Sequence, residues 1–344
     1  MTYEVISMHL RWLIAFGLAL LTFAAQAADP LAAWNDTATK QAVVAFVQKV
    51  TQPGGTDFVP VEQRIAVFDM DGTLIVEKPL PGAVMPLVAE VKATVKQHPE
   101  LKNKPAIAAL LTGNIPALLA TGEAGLNDVV SAATQDRTTE DVAADMQRLA
   151  GTVNNPRYGK PYTQLGYEPM VELLAYLRTN GFQTWIASGS PVAYTRAFSQ
   201  QVFGIPPQQV IGSSLETRFA EKDQRAVLIY TGKIAHIDDK EGKPPAINLA
   251  IGARPILVAG NVGGQGDIAM MRYSKDRAGS SLQLLINHDD AVREFAYAEK
   301  NHYSLDAARQ YGFTVVSIKN DWSNVFTTSP PGDAPSPPTT HDNN

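Results

Sequence analysis

The chain contains no cysteine, which excludes a disulfide framework and any thiolate metal site. It also lacks a long basic run. Its 29 Lys and Arg stand against 34 Asp and Glu, a formal net charge of −5, so nothing can follow a phosphate backbone and nucleic acid is not an expected partner. A G-x-S-x-G elbow is missing, so no Ser-His-Asp triad can be argued. No internal repeat is visible. What is present is ordinary globular material: 344 residues, 45% of them hydrophobic, enough for one large domain or two moderate ones.

The single extended apolar stretch, from Trp12 to about Ala25, follows Arg11 and ends where Ala25 and Ala27 bracket Gln26. That order of regions is the order of a secretory signal peptide cleaved after Ala27, and the stretch falls short of the roughly 20 residues a spanning helix needs. Glu4 suits such a leader poorly. A start at Met8 keeps His9 and Arg11 ahead of the apolar run. Residues 1–27 are therefore expected to be removed, leaving an exported, periplasmic protein with no stable membrane insertion.

Residues 28–57 read as a helical lead-in through Val43, Phe46 and Val47, ending at Pro53-Gly54-Gly55. Short apolar runs follow at 64–68, 184–187, 256–259, 282–286 and 314–318, most of them separated by helical patterns. The clearest helix lies around 169–180, where Met170, Leu173, Leu174 and Leu177 share a face and Gly181 stands past the end. Alternating strands and helices predict an α/β fold with a parallel sheet, whose ligand crevice lies beyond the carboxyl ends of the strands. Residues 80–165 carry no convincing strand and read as a helical insertion. Two runs within 225–237 flank Tyr230-Thr231-Gly232-Lys233 and predict a hairpin or flap. The Pro-rich segment 328–344 reads as a disordered tail.

The chemistry concentrates where the first strand ends, at Asp69-Met70-Asp71-Gly72-Thr73. Two carboxylates two residues apart, with a glycine that lets the chain turn, can set one against an electrophile and the other over its leaving group. Attack on phosphorus gives an acyl phosphate, and the second carboxylate can protonate the departing oxygen and then deprotonate water. An EF-hand is excluded because Gly72 comes too early and no glutamate occupies the twelfth position.

Here the chain resembles the haloacid dehalogenase superfamily, whose first motif is D-x-D-G-T at the end of the first core strand. The resemblance runs from about Arg64 to Phe326 and implies a Rossmann-like core with an inserted helical cap. On that resemblance the core is 58–79 and 166–327 and the cap is 80–165. It further implies that Asp69 is the nucleophile and Asp71 the acid and base. Thr73, Ser188, Gly189 and Lys243 would hold phosphate, with Lys240 as an alternative to Lys243. Mg²⁺ would be bound by Asp69, Asp71 and the loop Gly260-Asn261-Val262-Gly263-Gly264-Gln265-Gly266-Asp267, where Asn261 stands in place of the usual Asp and both Asn261 and Asp267 are candidates. Segments at 166–170, 237–239 and 321–322 resemble exported bacterial hydrolases and phosphoserine phosphatase-like members. The resemblance implies a phosphomonoesterase acting on a small phosphorylated metabolite, and Asp71 sets it apart from the dehalogenases.

Two other readings stand beside this one. A degenerate member would bind phosphate compounds without turning them over. Separately, Gly264-Gln265-Gly266-Asp267-Ile268-Ala269 fits a loose dinucleotide fingerprint, although Asp267 puts negative charge where a pyrophosphate would lie. His236 and the cluster His288-Asp289-Asp290 read as turn or cap residues rather than metal ligands. Arg157, Tyr158, Lys160 and Tyr162 are candidates for contacting the organic part of a substrate.

Overall fold

A computed structural model of the chain describes residues 29–263 and 265–326. The expected signal segment and tail lie outside them. Ile65–Phe68 (β1), Gln183–Pro191 (β2), Val210–Lys222 (β3), Arg225–His236 (β4), Leu257–Asn261 (β5), Leu282–Asn287 (β6) and Thr314–Ser317 (β7) form one sheet. Their order across it is β4-β3-β2-β1-β5-β6-β7. All neighbours are parallel except β3 and β4.

Helix Ala38–Thr51 (α1) precedes the sheet. Between β1 and β2 lie Val84–Gln97 (α2), Pro105–Leu111 (α3), Ile115–Ala120 (α4), Gly122–Thr134 (α5), Thr139–Ala150 (α6) and Glu168–Thr179 (α7). Val192–Arg196 (α8) and Ser199–Phe203 (α9) follow β2, and Lys243–Ile251 (α10) precedes β5. Gln265–Lys275 (α11), Tyr303–Tyr311 (α12) and Ile318–Asp321 (α13) complete the series. No helix among the described residues is long and apolar enough to cross a membrane.

Strand β1 is apolar and buried at every position because both faces of the sheet are covered. In β1, Ala66 and Phe68 enter one core, which also takes Val43, Phe46 and Val47 of α1 and Met170, Leu173 and Leu174 of α7. Ile65 and Val67 enter the other, with Ile247 of α10, Ile268 and Met271 of α11 and Ala307 of α12. This alternation fixes which way each residue beyond the strand points. The lead-in is part of the fold: Trp34 donates its indole N–H to the Pro169 carbonyl at 2.8 Å.

The inserted helices divide. Those from α2 to α5 build a separate core around Val91, Ile107, Leu110, Leu118 and Val129. Helix α6 instead sends Val142, Met146 and Leu149 into the main core.

The expected hairpin within 225–237 is corrected by the structure. That whole segment is the single strand β4, and its partner is the upstream β3. The turn falls at Asp223-Gln224, whose φ angles of 52° and 61° match the twist of an antiparallel pair. Only the start of β3 belongs to the parallel sheet; beyond Ser213 it leaves with β4 as an arm. The alternation that reveals a strand is weak here because most of the arm is exposed. The arm braces the insertion: the Tyr230 N–H donates to Arg137 O at 2.9 Å and the Ile234 N–H to Asn127 Oδ1 at 3.0 Å.

Candidate active site

Strand β1 pairs with β2 on one side and β5 on the other, so the chain direction across the sheet switches at its carboxyl end. Asp69 follows at once, its N–H donating to Ala259 O at 2.9 Å. The next residues turn back on themselves, with the N–H groups of Thr73, Leu74 and Ile75 all donating to Met70 O. Gly72 sits at φ +82°, and a Cβ there would stand 2.1 Å from Asn261 Nδ2, so only glycine fits. His288 Nε2 lies 2.8 Å from the Gly72 carbonyl and fixes the turn from behind; His288 Nδ1 meets Glu294 at 3.0 Å.

Lys243, at the start of α10, reaches into this turn. Its ammonium donates to Asp69 Oδ1 and to Asp267 Oδ1, each at 2.7 Å, and all three side chains are buried. Burial pulls its pKa down, but Asp267 and Asp69 outweigh that and hold it above its ordinary value, so it remains charged. The second oxygen of Asp267 accepts the Asn261 N–H at 2.8 Å.

Asp267, expected as a candidate metal ligand, is thus the counter-ion of Lys243 and a brace for the β5 loop, with both oxygens engaged. The same contacts place a carboxylate at the start of α11, where a dinucleotide's pyrophosphate would have to lie. Lys240, the alternative to Lys243, is exposed.

Asp71 faces a cavity of about 400 Å³. Burial pushes its carboxyl up to about 7, against the pull of a hydrogen bond from Ser190 Oγ at 2.6 Å. Its other oxygen, Oδ1, is buried with no partner among the described residues.

Ser190 was not legible as a site residue. The register between β2 and β3 shifts between Ser188 and Pro191, and this irregularity turns Gly189 and Ser190 toward the cavity. Ser188 is fully buried behind them, accepting the Ser190 N–H at 3.1 Å, and does not line the cavity. Thr73 is likewise buried, its hydroxyl 3.3 Å from Asp69 Oδ2.

The expected substrate contacts lie elsewhere. Arg157 donates to the carbonyls of Ala291, Val292 and Glu294, Tyr158 packs edge-on against Phe295 and Phe326, and Tyr162 donates to Leu80 O. None of these three, nor Lys160, lines the cavity. The insertion instead contributes Pro81, Ala83, Val84 and Leu87, with Glu77 just before them. Glu77 stands eight residues after Asp69, a short distance along the chain that could have drawn notice.

Residues 66–272, more than half of the chain, match the model of the haloacid dehalogenase-like hydrolases. The chain belongs to that family. No curated protein matches it. Among solved structures, this hydrolase is similar to a conserved protein of unknown function from Anaerococcus prevotii, with TM-score 0.54 and 15% identity over 87% of this chain and 97% of that one. It is also similar to a protein of unknown function from Bordetella pertussis, with TM-score 0.46 and 16% identity over 74% and 98%. A phosphoserine phosphohydrolase-like protein from Francisella tularensis gives 0.37 and 16% over 74% and 94%. The first of these supports the fold; the other two are likenesses only.

Whether the hydrolase's residues suit a Mg²⁺ ion is answered by its donor set. The cavity is lined by five carboxylates, Asp69, Asp71, Glu77, Asp239 and Asp267, against one ammonium, Lys243. No three acidic or histidine side chains among the described residues converge as a ready metal cluster. Mg²⁺ does not require one, since it binds through one or two carboxylates and keeps several waters. The excess of oxygen donors over cations in this lining suits a hard cation.

Proposed function

We propose that this chain is a phosphomonoester hydrolase that works through a phosphorylated Asp69. The observation that carries the reading is the pairing of two differently poised carboxylates in one cavity. Asp69 is fixed by Lys243 at 2.7 Å, and Asp71 is held near neutrality by burial. A carboxylate gripped by an ammonium beside a buried carboxyl that can carry a proton suits attack by the first and proton transfer by the second.

Asp69 attacks the phosphorus of the bound ester and the bond to the alcohol oxygen breaks. That oxygen takes the proton of Asp71, whose carboxyl burial pushes up to about 7. The alcohol leaves, and Asp71, now ionised, takes a proton from water as the water oxygen attacks phosphorus. Phosphate is released and Asp69 is restored.

Lys243 offsets the charge on Asp69 and the transferring group. The Gly189 amide, at the cavity wall, would orient a phosphate oxygen. Asp69, Asn261 and the main chain at Asp71 would hold Mg²⁺, which when bound would neutralise phosphoryl charge. The leader-like order of residues 1–27 supports export to the periplasm as part of the same proposal. The test is a panel of small phosphomonoesters with and without Mg²⁺. Phosphate release that Asp69→Asn abolishes supports the reading, and release by Asp69→Asn at the normal rate contradicts it.

A further inference from the structure

On the reading of this cavity as a phosphatase site, the organic part of a substrate meets two kinds of wall. One is apolar, made by Pro81, Ala83, Val84 and Leu87 on the approach to and first turns of α2, together with Pro191. The other is acidic. Besides the three aspartates around Lys243 and the turn, it carries Glu77 and Asp239, and Lys243 is the one cation among the described lining residues.

Lys243 is already gripped by two carboxylates. Two nearby cations, Lys78 and Arg157, do not line the cavity. Lys78 pairs with Glu77 at 3.0 Å and lies 4.4 Å from the centre of the Tyr297 ring, and Arg157 is engaged by three main-chain carbonyls.

We propose that the pocket takes phosphomonoesters whose organic group is small, apolar and free of negative charge, and discriminates against esters that carry a second anion. The phosphoryl group has Lys243 to meet it. A second carboxylate or phosphate would lose its water against the apolar wall and find no further lining cation, in a cavity where carboxyl groups outnumber the single ammonium. An apolar group gains by covering Pro81, Ala83, Val84 and Leu87. The inference refines the phosphatase reading by naming the charge class of its substrate.

The test uses a matched pair, phenyl phosphate and para-carboxymethylphenyl phosphate, which differ by one carboxylate remote from the scissile bond. Binding is measured by calorimetric titration of the Asp69→Asn chain, and kcat/KM is measured on the unaltered chain. Phenyl phosphate is expected to be favoured about tenfold or more in both, the factor that about 1.4 kcal/mol produces. Leu87→Arg, which sets a cation on the apolar wall, is expected to narrow that ratio. If that variant does not fold, Glu77→Gln is expected to narrow it by removing a repelling charge.

Equal or tighter binding of the carboxylated ester overturns the proposal, as does failure of Asp69→Asn to bind either ester. A binding preference without turnover sustains this inference and rejects the hydrolase reading. Turnover without a preference does the reverse.

Discussion

The Ser190 hydroxyl donates to one oxygen of Asp71 at 2.6 Å, while the other oxygen of that carboxylate is buried without a partner among the described residues. The hydrogen bond favours the ionised form and burial favours the protonated one, and burial prevails. Removing the hydroxyl takes away the hydrogen bond that lowers the pKa. Ser190→Ala is therefore expected to move the alkaline limb of the kcat/KM profile to higher pH, because the proton needed by the leaving oxygen is lost only as pH rises through the Asp71 pKa. The substrate's own titration is common to both proteins. Superimposable profiles would show that Asp71 does not supply that proton.

The same raised pKa has a consequence for stability. A carboxyl whose ordinary pKa of 3.8 is pushed up to about 7 by folding costs nothing below about pH 4, and destabilises progressively as pH rises toward 7. Asp71→Asn should accordingly raise the melting temperature at pH 8 and leave it unchanged at pH 4. Asp71 keeps some exposure, so the gain is set at roughly 1–3 kcal/mol. Equal shifts at both pH values would point to packing rather than charge.

Lys243 is the counter-ion of two buried carboxylates, so its removal leaves Asp69 and Asp267 facing each other uncompensated. Lys243→Met is expected to abolish turnover and cost about 3–5 kcal/mol, the usual penalty for breaking a buried pair from one side. Adding Asp267→Asn should restore part of the stability and none of the activity. Denaturant unfolding of the single and double variants checks this; no recovery in the double variant would mean that the two residues are not coupled.

The sheet was legible because buried parallel strands are continuous apolar runs, and each of the five expected runs is a core strand. Asp69, Asp71 and Lys243 were legible because they stand next to such strands or at a helix start. The long β3–β4 arm was not, since most of its side chains meet water and give no periodic signal. Ser190 was hidden for a different reason: a shift in strand register, which leaves no mark in residue type, brings it to the cavity wall while Ser188 stays buried behind it. Contacts from the insertion were sought near 157–162, whereas the chain presents Pro81 to Leu87, because apolar residues that line a pocket look like residues that line a core.

Asn261 stands at the rim of the cavity, its Nδ2 3.3 Å from the Tyr297 hydroxyl, where an aspartate would add negative charge. Asn261→Asp should tighten Mg²⁺ binding, because an amide oxygen can ligate the ion but brings no charge. Calorimetric titration with Mg²⁺ reads this directly, without substrate. Unchanged or weaker binding would remove this position from the metal site.

Covalent capture of the transferred phosphoryl group on Asp69 is the most direct measurement. The protein is mixed with a hydrolysable ester, quenched in acid within the first turnovers, digested, and the peptide spanning Asp69 to Thr73 weighed. The account predicts that this peptide gains the mass of one phosphoryl group, located on Asp69, and that the gain is absent from Asp69→Asn. Burst-phase release of the alcohol with an unmodified Asp69 peptide, or with the phosphoryl group on another residue, would contradict it.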